Sequence, residues 1–156
     1  INMRQSQSTS PPNPQTMPTT ATKREAAFYL QMKTAAKTSK LRRLIFTRIE
    51  STAVPGVPDL LICDEAGLFH MVELKFITGN AVSLRPHQVS WLTKHGGSSS
   101  WILVKKQKNN LEKSELHIYR ADQAIDVKLD GLKTEPAMIQ VQPFNWHDVF
   151  SLICPL

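Results

Sequence analysis

Three charged residues, Asp59, Glu73 and Lys75, stand at a spacing that suits phosphodiester chemistry. Asp59 opens an apolar run, Leu60–Cys63, while Glu73 and Lys75 lie in a second run, Leu68–Phe76. Turn-forming residues separate the two runs, which predicts a β-hairpin. Because side chains alternate along a strand, Glu73 and Lys75 point to one face, and the partner strand offers the carboxylate of Asp59 beside them.

Two neighbouring carboxylates repel each other unless a cation lies between them. Oxygen ligands suit Mg²⁺ or Mn²⁺, ions that keep several waters, bind phosphate oxygens and stabilise charge that develops on a phosphodiester. Lys75 would position the attacking water or neutralise the transition state. Its reference pKa is about 10.4, which favours a charged, orienting role over that of a base. An acid followed two residues later by lysine is also common on a solvated strand, so this pair alone is a weak signal.

The signal from Glu73 and Lys75 becomes more specific when the neighbouring segments are included. Pro58-Asp59 and Glu73-Leu74-Lys75 together resemble the two halves of the PD-(D/E)XK nuclease motif. The surroundings are similar to small phage-type and VRR-type nucleases and to Holliday-junction resolvases, in which Arg-Ile-Glu precedes Gly-x-Pro-Asp and a Pro-x-Gln helix follows the lysine. The corresponding segments here are Arg48-Ile49-Glu50, Gly56-Val57-Pro58-Asp59 and Pro86-His87-Gln88, and the resemblance covers roughly residues 44 to 105.

This resemblance implies an α/β fold with a restriction-endonuclease-like core, in which helices flank a mixed central β-sheet. It also implies a Mg²⁺- or Mn²⁺-dependent DNA endonuclease, selective for branched structures and acting as a homodimer. Asp59, Glu73 and the backbone oxygen of Leu74 would hold the metal, and Glu25 or Glu50 would complete the site. A phage-encoded protein acting in the cytoplasm of a bacterial host fits the same resemblance.

Several site residues keep two interpretations. Glu25 either completes the metal site or forms a capping box with Thr22 at a helix start. Glu50 and Arg48 share a strand face, where they form either a cross-strand salt bridge or a site carboxylate beside a phosphate-binding arginine. Gln88 follows a helix start and is either a capping residue or a partner of the catalytic groups.

The balance of charge favours a polyanionic partner, since the formal net charge is +6. From Thr22 to Arg48 there are eight Lys or Arg and one acid. Such residues are often only a solvated helix face, but beside a phosphodiester site they predict contacts to the DNA backbone. The candidates are Lys33, Lys37, Lys40, Arg42 and Arg43, joined by Arg85, which stands where the resembling families place a small hydroxyl residue.

The chain divides into a Ser/Thr/Pro-rich segment, residues 1–22, expected to be disordered, and one domain, residues 23–156. The predicted elements are helix 23–37, strand 44–50, the hairpin, helix 86–94, strands 101–104 and 116–119, helix 121–132, and helix Trp146–Ile153 capped by Asn145. A helix between two strands implies a parallel crossover, hence a mixed sheet. The C-terminal third carries no motif and is open to three roles: dimer contact, lid or second DNA surface.

Other classes receive little support from the sequence. No run of 18 or more apolar residues occurs, which predicts no membrane span. Cys63 and Cys154 are too few for a disulfide scaffold and fit a reduced, cytoplasmic setting. Two alternatives to an enzyme stay open: a catalytically silent nucleic-acid-binding module, and an assembly subunit built on a nuclease fold. The intact Asp59, Glu73 and Lys75 argue against a silent module.

Overall fold

The computed structural model describes residues 20–39, 42–50 and 53–156, with the side chains of the first helix described from residue 23. The elements in chain order are α1 (Thr20–Thr38), β1 (Ile45–Arg48), β2 (Leu60–Cys63), β3 (Phe69–Ile77), α2 (Pro86–Lys94), β4 (Ser100–Lys106), β5 (Glu115–Arg120), α3 (Ala124–Asp130), β6 (Met138–Val141) and α4 (Trp146–Ile153). Short 3₁₀ turns precede and follow α3.

One six-stranded sheet forms the centre of the fold, with the strands in the order β1-β2-β3-β4-β5-β6. β3 and β4 pair in parallel, and every other neighbouring pair is antiparallel. The helix α2 connects the two parallel strands, because parallel neighbours need a crossover. The prediction of an α/β chain with a mixed sheet flanked by helices is therefore confirmed.

The helices α1 and α4 cover one face of the sheet. Phe28 and Met32 from α1, Phe150 from α4, and Leu74 and Leu103 from the sheet belong to one buried cluster. Leu74 and Leu103 are register partners of β3 and β4, so both point to this face.

The helices α2 and α3 cover the opposite face. Leu92, Val127, Ile102 and Val104 belong to a second buried cluster there. Ile102 pairs with Glu73 in the sheet and Val104 pairs with Lys75. The charged side chains of Glu73 and Lys75 therefore lie on the same face as this apolar cluster. This placement puts Glu73 under α2 instead of in solvent.

The predicted start of the first helix needs correction. α1 begins at Thr20, so Thr22 lies inside the helix and does not cap it. No Gly or Pro follows Pro18 in this segment, and the helix therefore extends beyond the predicted start. The remainder of the tail expected to be disordered, residues 1–19, lies outside the described residues.

The sequence does not predict β6, because apolar side chains on its outward face obscure the alternation of apolar and polar residues. Ile139 and Val141 are each 54% exposed, while Met138 and Gln140 face inward and are only half-buried. A four-residue strand with apolar residues on both faces lacks the alternation that identifies a half-buried strand. The predicted helix 121–132 is also divided, since only Ala124–Asp130 is α-helical.

Within the described ranges, no helix has both the length and the apolar character that a bilayer span requires.

Candidate active site

The register of the hairpin brings the two predicted acids together. Leu60 pairs with Val72 in the antiparallel β2–β3 ladder, so Asp59, just before β2, lies across from Glu73. Asp59 Oδ2 accepts a hydrogen bond from the backbone nitrogen of Leu74 at 3.2 Å. Lys75 Nζ lies 3.5 Å from Glu73 Oε1. Both carboxylates and the ammonium therefore occupy one face of the sheet, as strand alternation predicts.

Gln88 connects these groups to α2. Its Nε2 donates to Glu73 Oε1 at 2.5 Å, and its Oε1 accepts from Lys75 Nζ at 3.2 Å. The same oxygen accepts from the backbone nitrogen of Arg85 at 2.9 Å, just before the helix starts at Pro86. Gln88 thus fulfils both interpretations: it satisfies a backbone donor at the helix start and also holds the catalytic candidates in place.

The loop before Asp59 is fixed against α2 through Gly56. This residue has φ = +88°, and a Cβ added to it would lie 2.1 Å from the carbonyl oxygen of His87. Only glycine permits both the positive φ and this approach of two backbones. The contact keeps Asp59 next to Gln88.

An open cleft of about 670 Å³ adjoins Asp59. Glu50 and Arg85 are exposed in its wall, so both are accessible to a ligand that enters. The full lining consists of Arg48, Ile49, Glu50, Pro55, Gly56, Val57, Asp59, Arg85, His87 and Gln88.

Glu73 is the most electrostatically perturbed group of the site. Its side chain is 1% exposed, and burial raises its pKa from 4.5 to about 8, with the Asp59 carboxylate adding to the rise and Lys75 opposing it. Within the described residues, Glu73 Oε2 is buried without a hydrogen-bond partner. An ionised carboxylate in this position is unfavourable unless a cation compensates it.

Asp59 and Glu25 have shifted pKa values in the same direction. Burial raises the pKa of Asp59, and the Leu74 backbone hydrogen bond and Lys75 oppose the rise. Burial also raises the pKa of Glu25, where the charge of Lys75 lowers it and that of Asp59 raises it. Because Thr22 does not cap the helix, Glu25 does not form the predicted capping box with it. Glu25 is instead a third carboxylate, held by α1, whose charge interacts with those of Asp59 and Lys75.

The carboxylates of the site form a small set of oxygen donors for a metal ion. Among the described residues, no group of three or more His, Cys, Asp or Glu is close enough to hold one. Mg²⁺ is commonly held by only one or two carboxylates together with waters and phosphate oxygens. Asp59 and Glu73 provide two carboxylates, and the unpartnered Oε2 of Glu73 provides free lone pairs. The residues present therefore fit a hard divalent cation.

The predicted phosphate-binding residues separate into two places. Arg48 stands at the cleft, where its guanidinium lies 5.4 Å from the ring centre of Tyr29, and Arg85 is exposed nearby. Lys33, Lys37 and Arg43 are exposed around a different cavity of about 440 Å³ at the C-terminal end of α1. Lys40 lies outside the described residues.

Arg42 contradicts its predicted role. Its side chain is 5% exposed and forms a salt bridge with Glu65. Its Nη1 also donates to the carbonyl oxygens of Cys154 at 2.6 Å and Phe150 at 3.2 Å, at the C-terminal end of α4. A guanidinium buried with these partners stabilises the fold, because a helix C-terminus attracts positive charge, and it is not available to DNA phosphate.

A second hydrogen-bonded group lies at the other end of the hairpin. His70 Nε2 lies 2.8 Å from Asp64 Oδ2, and His70 Nδ1 lies 2.5 Å from Ser99 Oγ. The pKa of Asp64 is lowered by the hydrogen bond from His70. Because His70 and Asp64 are both buried, this link fastens the β2–β3 turn to the start of β4.

A basic groove of about 450 Å³ was not foreseen from the sequence. Its charged residues are Arg24, Lys105 and Lys108, whereas the sequence by itself indicates only a basic, polar turn from Lys105 to Asn110. The signal that could have found it is the basic Lys105-Lys106 pair at the end of a buried strand. The lining consists of Arg24, Ala27, Phe28, Gln31, Phe76, Lys105, Gln107, Lys108, Asn109 and Asn110.

Comparison with known proteins finds no matching family model, no matching curated protein and no matching solved structure.

Proposed function

We propose that this chain is a divalent-metal-dependent DNA endonuclease with a restriction-endonuclease-like core of the PD-(D/E)XK type. The observation that carries the proposal is the shared sheet face of Asp59 and Glu73. Beside them lies Lys75, and the buried Oε2 of Glu73 has no partner in the described part of the chain. A divalent cation at this point would relieve the repulsion between the two acids, whose pKa values are raised by burial despite the neighbouring Lys75.

The chain's own residues would prepare the reaction by orientation. The amide of Gln88 fixes Glu73 and Lys75 relative to each other, since it bonds both. The charged Nζ of Lys75 would hold a water or a phosphate oxygen at the site. The carbonyl oxygen of Leu74 is the further proposed metal ligand, next to the backbone nitrogen that bonds Asp59. Bound Mg²⁺ or Mn²⁺ would supply stabilisation of the negative charge that develops on the phosphodiester.

The proposed substrate is DNA with a branched structure. Arg48 and Arg85 at the cleft are suited to phosphate oxygens, because guanidinium groups bind phosphate with several donors. Such contacts fix position without reading sequence. We further propose a homodimer, since cutting a junction at paired sites needs two active sites.

A cleavage assay tests the proposal directly. Junction, flap, duplex and single-stranded DNA are incubated with the protein in Mg²⁺, Mn²⁺ or EDTA. Wild-type protein should cut at least the branched substrates in either metal, and Glu73→Ala should lose cutting by about 10³-fold or more while it keeps DNA binding. Glu112→Ala, which changes an exposed acid of the β4–β5 connection, is the matched control.

Two results would contradict the nuclease proposal. Cutting that survives in Glu73→Ala would locate the activity elsewhere or in a contaminant. DNA binding by wild-type protein without cutting in either metal would indicate a catalytically silent binding module.

A further inference from the structure

The basic groove lies on the same edge of the sheet as the cleft. β1, β3 and β4 run in one direction, because β1 and β3 are both antiparallel to β2 and β3 is parallel to β4. Their C-terminal ends, at Arg48, Ile77 and Lys106, therefore meet at one edge together with the start of β2 at Leu60. The cleft stands at the β1–β2 side of this edge and the basic groove at the β3–β4 side.

The two cavities open on different faces of the sheet at this edge. Asp59 borders the cleft, whereas Phe76 borders the groove and points to the α1 face, opposite to its neighbour Lys75. Arg24 borders the groove and precedes Glu25 directly. Neighbouring strands are about 4.8 Å apart, so the edge from β1 to β4 spans roughly 14 Å. A ligand that reaches both cavities must therefore extend along the edge beyond the size of one phosphate group.

The chemistry of the groove suits a phosphate backbone. Its three charged lining residues, Arg24, Lys105 and Lys108, are all basic, and the polar remainder consists of amide side chains. Lys105 Nζ donates to Gln31 Oε1 at 2.8 Å, so it forms part of the wall. Arg24 and Lys108 are exposed and able to meet a ligand.

We propose that one DNA strand crosses the active-site edge and that the basic groove binds its phosphates on the side of the cut opposite to the cleft. This inference rests on the proposed nuclease function and specifies its substrate path. A strand held on both sides of the cut is cleaved internally and needs no free end. The basic surface at the far end of α1 is not part of this path, since Lys37 is twelve residues beyond Glu25, about 18 Å along the helix.

Salt-dependent binding tests the basic groove. A single-stranded thymidine oligonucleotide is titrated in EDTA over a series of NaCl concentrations and followed by fluorescence anisotropy. Arg24→Gln with Lys108→Gln is compared with Lys94→Gln with Lys128→Gln, because both doubles remove two exposed positive charges and the second changes none of the predicted DNA contacts. Thermal unfolding of each double verifies that it is folded.

The groove double should weaken binding and flatten the plot of log K against log[salt] by about 1.4, since each single-strand phosphate contact contributes about 0.7. The control double should keep the wild-type slope. An unchanged slope in the groove double, or equal flattening in both doubles, would overturn the inference.

This readout is independent of cutting. A wild-type protein that binds with the expected slopes but never cuts would refute the nuclease proposal and leave the groove as a DNA-binding surface. A wild-type protein that cuts while the groove double binds DNA like wild type would refute the groove proposal alone.

Closed circular single-stranded DNA that contains a hairpin gives a second test, because a circle has no free end. Wild-type protein should open this circle. A circle that stays intact while a linear form is trimmed from its ends would contradict the proposed strand path.

Discussion

Replacing Glu73 by Gln should stabilise the metal-free protein at alkaline pH. The carboxyl is buried beside Asp59, and its pKa is raised from 4.5 to about 8. In the metal-free fold the charged form is therefore disfavoured, while in the unfolded chain it ionises normally. Gln keeps a carbonyl oxygen that can accept from Gln88, and it cannot ionise.

The size of the effect follows from the pKa shift. The contribution of the neutral carboxyl is fully present below pH 4.5, is lost as the pH rises, and is gone above about pH 8. A rise of 3.5 pKa units (about 8 minus 4.5) corresponds to about 5 kcal/mol in total at 1.36 kcal/mol per unit. Between about pH 5.5 and about pH 8, wild type loses stability over roughly 2.5 pH units. By pH 8.5 the free energy of unfolding of Glu73→Gln should therefore have risen by about 3 kcal/mol relative to that of wild type.

Urea unfolding in EDTA at these two pH values measures the effect. Glu112→Gln is the matched control, because this acid is exposed and should follow the pH dependence of wild type. Adding Mn²⁺ at alkaline pH should stabilise wild type and leave Glu73→Gln nearly unchanged, since ligand binding to the folded state raises its stability. A parallel loss of stability by Glu73→Gln and wild type from pH 5.5 to pH 8.5 would refute the raised pKa of Glu73.

Three further substitutions test contacts that hold the fold and the site. Arg42→Ala should lower the free energy of unfolding by about 2–4 kcal/mol, because it removes a buried, hydrogen-bonded charge. Gly56→Ala should cost more than about 2 kcal/mol and also reduce cutting, since its Cβ would collide with the backbone of α2. Gln88→Ala should lower activity or metal affinity by about 10–100-fold, because it frees the two charged groups that the amide orients.

Chemical denaturation and cleavage rates measure these effects, and the chain offers controls. Arg43→Ala changes an exposed neighbour of Arg42 and should stay within about 0.5 kcal/mol of wild type. Gly67→Ala has a similar φ of +79° but open space around the added Cβ, so it should cost about 1–2 kcal/mol without loss of cutting. Equal effects of the two glycine substitutions, or an unaltered Gln88→Ala enzyme, would contradict the proposed contacts.

The hairpin and α2 could be predicted because their signals are local. Apolar runs, a turn ending in Gly67 and Pro at the first helical position fix the boundaries of Leu60–Cys63 and Pro86–Lys94. Strand alternation then determines that Glu73 and Lys75 share a face. The arrangement of Asp59 across from Glu73 follows from the hairpin register.

The surroundings of the site could not be predicted, because they depend on residues distant in sequence. Arg42 meets Glu65 and the carbonyl oxygen of Cys154, 112 residues further along the chain. In the sequence it was indistinguishable from exposed Arg43. The basic groove likewise forms only when Arg24 of α1 is brought to the end of β4 near Lys108.

The most direct test of the shared cation is a crystal structure determined from crystals soaked with Mn²⁺, with the anomalous scattering of the metal recorded. We expect an anomalous peak between the carboxylates of Asp59 and Glu73, with oxygen–metal distances of about 2.1 Å. Ordered carboxylates without a peak between them, or Mn²⁺ bound only at other residues, would contradict the claim that these two acids hold a common ion.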